Sequence, residues 1–255
     1  MSRHAAPRMI VAAFWLLSIA PVAVLVAFTA THLSGGASAW IGTLAQPDFW
    51  DAFLSSAALG ALAVAISLLT VVPAAWAVAT RIPRAIGLIE ALTFVPIAVP
   101  GVVLAVGYMS AFSSGPLPLV GTPWILPPAF ALMGLPYMFR AVWSRISTVR
   151  ATVLAEAAET LGAPFSTTFL RIVVPSLLPG ILSGSFLVFS LSLGEFTVTQ
   201  LTSGGSLVTF PIYMQTAFQD SPAQGALAAV LSYLVASGLV LFATLSLRQR
   251  DKEAL

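Results

Sequence analysis

The sequence contains no cysteine, which excludes a disulfide framework, a thiol nucleophile and any Cys-ligated metal centre. It has only two histidines, His4 and His32, too isolated from each other to form a ligand pair. Lysine occurs once, as Lys252 in the C-terminal tail, far from any glycine-rich loop, so the chain offers no P-loop for nucleotide phosphates. No Ser/His set, paired aspartates or HExxH pattern is present to support an intramembrane enzyme. Charge itself is scarce. Only 8% of the 255 residues are charged and 58% are hydrophobic, a composition of membrane proteins rather than globular domains.

What the chain does have is long apolar runs. They predict six membrane spans near residues 9–31, 53–80, 88–112, 128–149, 176–200 and 225–247, each near the ~20 residues a bilayer requires. The first run follows Arg3 and Arg8 and competes with a signal-peptide reading, since Ala37-Ser38-Ala39 looks like a cleavage site. Signal h-regions span only ~7–15 residues, which favours an uncleaved span. The second run is dense in small residues that let membrane helices approach closely. Pro96 and Pro100-Gly101 interrupt the third and are expected to bend or locally open it. The fifth carries Gly180-x-x-x-Gly184, a small-residue packing face. A short amphipathic helix is expected around Ile212–Phe218. The six tryptophans mostly fall near expected interfaces and read as belt anchors.

Basic residues retard translocation of the loops that carry them. With the N-terminus inside, all eleven Lys and Arg lie in inner segments, while the outer loops hold Asp48, Asp51 and Asp220. The fold class is therefore an all-α membrane protein, one transmembrane domain over 1–255, with both termini cytoplasmic. Because the basic residues are dispersed and topogenic, the net charge of +2 does not indicate a nucleic-acid partner. Glu90 is expected to pair structurally with nearby Arg84.

Between the fourth and fifth spans lies a polar-bearing stretch, 147–175, that reads as two short helices joined by a turn. Ser147 or Thr148 serves as N-cap of the first, which runs to Leu161. Gly162 sits where a left-handed residue closes a helix, and Pro164 falls where the next begins. Val174-Pro175 is expected to end that second piece.

The stretch also carries Glu156-Ala157-Ala158, then Gly162, Ile172 and Pro175, with Val174 before the proline. This spacing resembles the cytoplasmic signature of permease subunits of binding-protein-dependent ABC importers: E-A-A, three residues, G, nine residues, I-x-L-P. Val174 replaces the leucine. Span number, topology and loop position agree over the whole chain. The resemblance implies the six-helix type I permease fold of a bacterial inner membrane, with this elbow as a coupling helix. It would dock on a separate ATPase through Glu156, Ala157, Ala158, Glu159, Leu161, Gly162, Phe165 and Pro175, with Leu154 adding apolar contact. Glu156 and Glu159 share one helical face that can meet basic partner groups. It further implies two ATPase copies, a second permease (identical or related), an extracytoplasmic solute-binding protein, and ATP and Mg used by the ATPase alone. No cofactor is expected on this chain.

Glu195, in Ser192-Leu193-Gly194-Glu195-Phe196, is the one ionisable residue expected deep in the outer half of a span, ~27 Å along the fifth helix. Intramembrane carboxylates mark functional sites by default; the alternative is a residue that snorkels outward or stays protonated. No basic residue of the chain lies on the outer side to pair with it. Thr197 and Thr199 beside it, with Tyr108 and Ser110 on the third span, offer hydroxyls to a translocation pathway, although such hydroxyls often bond their own backbone. Gly194-Glu195-Phe196 and Thr209-Phe210-Pro211-Ile212-Tyr213 resemble the importer branch for polyamines, so a cationic organic solute is the first expectation. Phosphonate, thiamine, ferric iron or oxyanion branches are the alternatives. From another class, an ion-gradient-driven secondary transporter would find only Glu195 to couple through and would leave the elbow unexplained.

Overall fold

The computed structural model describes residues 5–32, 37–114 and 116–234. Helices are the only regular secondary structure among those residues, which fall into two compact units: Asp51–Pro211, and Met1–Trp50 together with Ile212–Leu255. His4, Arg3, residues 235–247 of the sixth expected span and the tail with Arg248, Arg250 and Lys252 lie outside the described residues, as does the side chain of Trp15.

The elements run α1 (Ala5–His32), α2 (Ala37–Leu44), α3 (Pro47–Arg81), α4 (Ile86–Thr93), α5 (Val95–Ala98), α6 (Gly101–Phe112), α7 (Leu126–Thr148), α8 (Ala151–Thr160), α9 (Phe165–Thr167), α10 (Val174–Gly194), α11 (Thr197–Thr202) and α12 (Phe210–Asp220), then a helix over 222–234. Three described helical runs are long and apolar enough to cross a membrane: Pro47–Arg81, Pro123–Thr148 and Phe165–Gly194. Pro83–Ala98 with Gly101–Phe112 makes a fourth if its bend is one broken span. That bend is 95°, at the break the prolines led us to expect. Val99 and Pro100 both hold extended ψ angles, of 125° and 140°. A residue before proline is driven out of the α region, and here two consecutive residues leave it.

In the 51–211 unit the main packing is α7 against α10, running antiparallel. The expected glycine face is the reason they fit. A Cβ on Gly180 would lie 2.7 Å from the Ala141 carbonyl oxygen, and one on Gly184 would lie 2.7 Å from Met138 Sδ. α7 reciprocates at Gly134, where a Cβ would come 2.8 Å from Val188 Cγ2. Contact every four residues on both helices is ridge-in-groove packing with the ridges cut to glycine. α3 joins them through Gly60, which faces Phe189 and Ser192 of α10. Leu126, Phe130, Met138, Val142, Leu177 and Val188 fill the core.

The other unit brings α12 against Gln46 and the first turn of α3. The Tyr213 hydroxyl donates to Gln46 Oε1 at 3.0 Å, and the Phe49 and Tyr213 rings meet edge-on at 6.0 Å. α12 matches the amphipathic helix expected around 212–218. Two pairings differ from expectation. Glu90 lies 3.8 Å from Arg140, not beside Arg84, and both side chains are exposed enough for the pair to contribute little. Trp76 is no belt anchor: it is buried at 5% exposure, with its ring 6.3 Å from that of Phe169.

Candidate functional site

The elbow is built from alanines. Ala151, Ala155 and Ala158 occupy one face of α8 and are buried, so the helix sits close on the body behind it. The other face is left outward: Val153, Leu154 and Ala157 are exposed, and Leu161 just beyond is 89% exposed. Glu156 and Glu159 lie at its flank. Both line a cavity of about 510 Å3 with Arg81, Thr80, Trp76 and Phe165, carboxylates and guanidinium sharing the space without an ion pair.

The turn closes as the sequence anticipates. Gly162 has φ +86°, the Ala163 amide donates to the Ala158 carbonyl at 3.1 Å, and the Gly162 amide donates to Glu159 at 2.9 Å. This is a Schellman close, for which glycine is the natural residue. Pro164 then caps α9 in extended conformation. Phe165, 62% exposed, stacks on Phe169 with centroids 6.0 Å apart, and Phe169 in turn leans on Trp76.

Both outer bounds of the elbow are corrected. Ser147 and Thr148 are the last residues of α7, and their hydroxyls bond back to Trp143 and Ser144 instead of capping α8. The break comes at Arg150, in the left-handed region at φ 50°. It is the one non-glycine with positive φ among the described residues. Nor does Pro175 end the second piece. Phe165 to Gly194 is one helical run, passing through a π-helical segment at Thr168–Val173 and on into α10. Pro175 is exposed at the second position of α10, directly after the π segment.

The fifth span is likewise not continuous to residue 200. α10 stops at Gly194, Glu195 is extended at ψ 113°, and α11 restarts at Thr197. The Glu195 carboxylate accepts the Val198 amide at 2.8 Å, as an N-terminal cap does. Its partner is thus a backbone donor of its own chain. Thr199 is fully buried and its hydroxyl donates to the Glu195 carbonyl at 3.1 Å. Thr197 is half-buried and packs over Gly101 of α6, so α11 and α6 are brought together. On α6, Ser110 is exposed, whereas the Tyr108 hydroxyl is buried without a partner.

Compared with known proteins, residues 71–250 match the family described as the inner membrane component of binding-protein-dependent transport systems. The chain belongs to that family. This makes it a permease-type, non-catalytic transport component, as its signature implies, and places it as a multi-pass protein of the inner membrane. One relative, named as the 2-aminoethylphosphonate transport system permease protein PhnV of Salmonella typhimurium LT2, is 30% identical over 163 residues, 64% of this chain and 61% of the relative. The molybdenum transport system permease protein ModB of Escherichia coli K12 is 33% identical over 192 residues, covering 69% of this chain and 82% of the relative. ModB of Mycobacterium tuberculosis H37Rv is 32% identical over 175 residues, or 64% and 65% of the two chains. The permease thus spans about 61% of the length of the first of these. None of the three is named for polyamines.

Proposed function

We propose that this chain forms the solute pathway of an ATP-driven importer and receives mechanical work through the α8–Gly162–α9 elbow. The membrane arrangement is six spans with both termini cytoplasmic, placing the elbow where a soluble ATPase can reach it. The observation that carries the reading is the split character of α8. Its alanine face is buried, while Leu154, Leu161 and Phe165 stand exposed beside Glu156 and Glu159. Leu161 at 89% exposure, with Leu154 and Phe165 beside the two glutamates, gives the elbow an apolar surface rimmed by charge, the kind that marks a protein interaction site. The partners are two ATPase copies, which alone use ATP and Mg, a second permease, and an extracytoplasmic solute-binding protein. ATP-driven closure of the ATPases draws the elbows together and shifts the spans outward; hydrolysis returns them.

The names of the relatives favour the phosphonate and oxyanion alternatives over a polyamine. Glu195 does not require a cationic solute, because its Oε1 accepts the Val198 amide as a cap and so has a structural role whatever passes. Uptake by vesicles holding the permease, its ATPase and its binding protein tests this with three solutes: molybdate, a phosphonate and a polyamine. Import of either anion is the expected result. ATP-dependent import of the polyamine alone would overturn the substrate assignment.

A further inference from the structure

We propose that Pro175 is the positioning residue of the elbow: it holds the Thr168–Val173 segment in its π register and thereby sets which way the elbow faces relative to α10. The proposal rests on the reading of the elbow as the ATPase-docking element.

A π segment is an α-helix carrying one extra residue, and its poorer geometry persists only where something excludes the ordinary register. Here the Val174 amide reaches back five residues to the Phe169 carbonyl. The next residue, Pro175, has no amide to donate, and in an α register its ring would collide with the Arg171 carbonyl. Widening the preceding turn relieves that collision. The extra residue must be absorbed on the elbow side, because the first turn of α10 is fixed from the other side. Arg145 of α7 donates from Nε to the Ser176 carbonyl at 3.1 Å, and its Cβ covers Gly180 one turn further on.

Two observations place the register change inside the segment. Thr168 is 1% exposed with its hydroxyl unpartnered, although a helical threonine ordinarily bonds a carbonyl one turn back. Phe169, inside the segment, stacks on Phe165 and leans on Trp76, so the π register puts the elbow against α3. One residue of helix corresponds to about 100° of rotation, enough to turn the Leu161–Phe165 surface away from its present direction.

The test uses the reconstituted complex and two variants. Pro175→Ala restores an amide and permits the α register, so uptake falls roughly fivefold, the population shift one regained backbone hydrogen bond supports. Combining Pro175→Ala with deletion of Leu170, a residue 63% exposed, removes the extra residue and returns the elbow to its original phase, so uptake recovers. A merely structural proline would not be rescued by a deletion. Because the chain has no native cysteine, spin labels at Ser166→Cys and Ser183→Cys report the joint directly. Their separation shifts in Pro175→Ala and returns in the double variant. Unchanged label separation and uptake in Pro175→Ala, or a double variant no better than Pro175→Ala alone, overturns the proposal. Leu161→Arg separates it from the underlying reading: if that variant still co-purifies with the ATPase, the docking reading fails, whereas the label separations remain the measure of Pro175.

Discussion

The Oε1 atom of Glu195 accepts the amide of Val198 at 2.8 Å, closing the start of α11 across the break that follows α10. A carboxylate so placed acts by accepting a hydrogen bond, which an amide oxygen can also do. Glu195→Gln is therefore expected to retain transport of an anionic solute and most of the stability. Glu195→Ala loses the cap and about 0.5–2 kcal/mol. Thermal unfolding and vesicle uptake of the two variants side by side check this. Equal loss in both would return the role to the charge.

Gly162 predicts a steep difference between two substitutions. Valine at φ +86° is strained by about 1–2 kcal/mol or more, while asparagine tolerates the left-handed region. Gly162→Val should abolish co-purification of the ATPase and Gly162→Asn should retain most of it. Open space around the Cβ position means the effect reads backbone conformation and not a clash.

Gly180 and Gly184 look alike in sequence but should differ in cost. An alanine at 180 meets the backbone oxygen of Ala141 and the Cβ of Arg145, both fixed. At 184 the first obstacle is the sulfur of Met138, the end of a flexible side chain. Gly180→Ala should lower stability by about 1–3 kcal/mol, the usual cost of overpacking, with Gly184→Ala nearer the lower bound. Melting temperatures in one detergent rank them; the reverse order would refute the packing account.

Tyr213, outside the long spans, gives the described residues a pH dependence. Burial, and secondarily the nearby Asp48 carboxylate, push its hydroxyl above the ordinary tyrosine value of 10.0. A raised folded value means that the fold favours the neutral phenol, so this stability is complete below the ordinary value and lost as pH climbs through the raised one. Difference absorbance at the tyrosinate band, native chain against Tyr213→Phe, should show one tyrosine ionising late. The same substitution deletes the bond to Gln46 and costs about 0.5–1.5 kcal/mol at most.

Much of this architecture was legible because membranes simplify the physics. The glycine pair at 180 and 184 and Gly162 before Pro164 each have one strong local reading that the described residues follow, and of the six apolar runs three, or four with the bent pair, stand as helices long enough to cross a membrane. The family resemblance also singled out Leu154, Leu161, Glu156 and Glu159 of the elbow, and all four are exposed. What escaped was set by competition between neighbours. Ser147 and Thr148 are good caps in isolation, but α7 bonds their hydroxyls first and Arg150 takes the turn. Pro175 reads as a stop because nothing in its own residue type reveals a π turn before it. Glu195 reads as a charge in lipid because the amide it satisfies appears only once the helix breaks. Trp76 sits at an expected interface, and only the fold brings Phe169 to it.

That last contact has a mechanical meaning. Two rings bridge the elbow to the lower reaches of α3, so a tug on Phe165 is shared out before it ever climbs α10. Span two thus meets the elbow through side chains while span five continues it through the backbone, and removing the indole would leave the backbone route and the buried alanine face of α8.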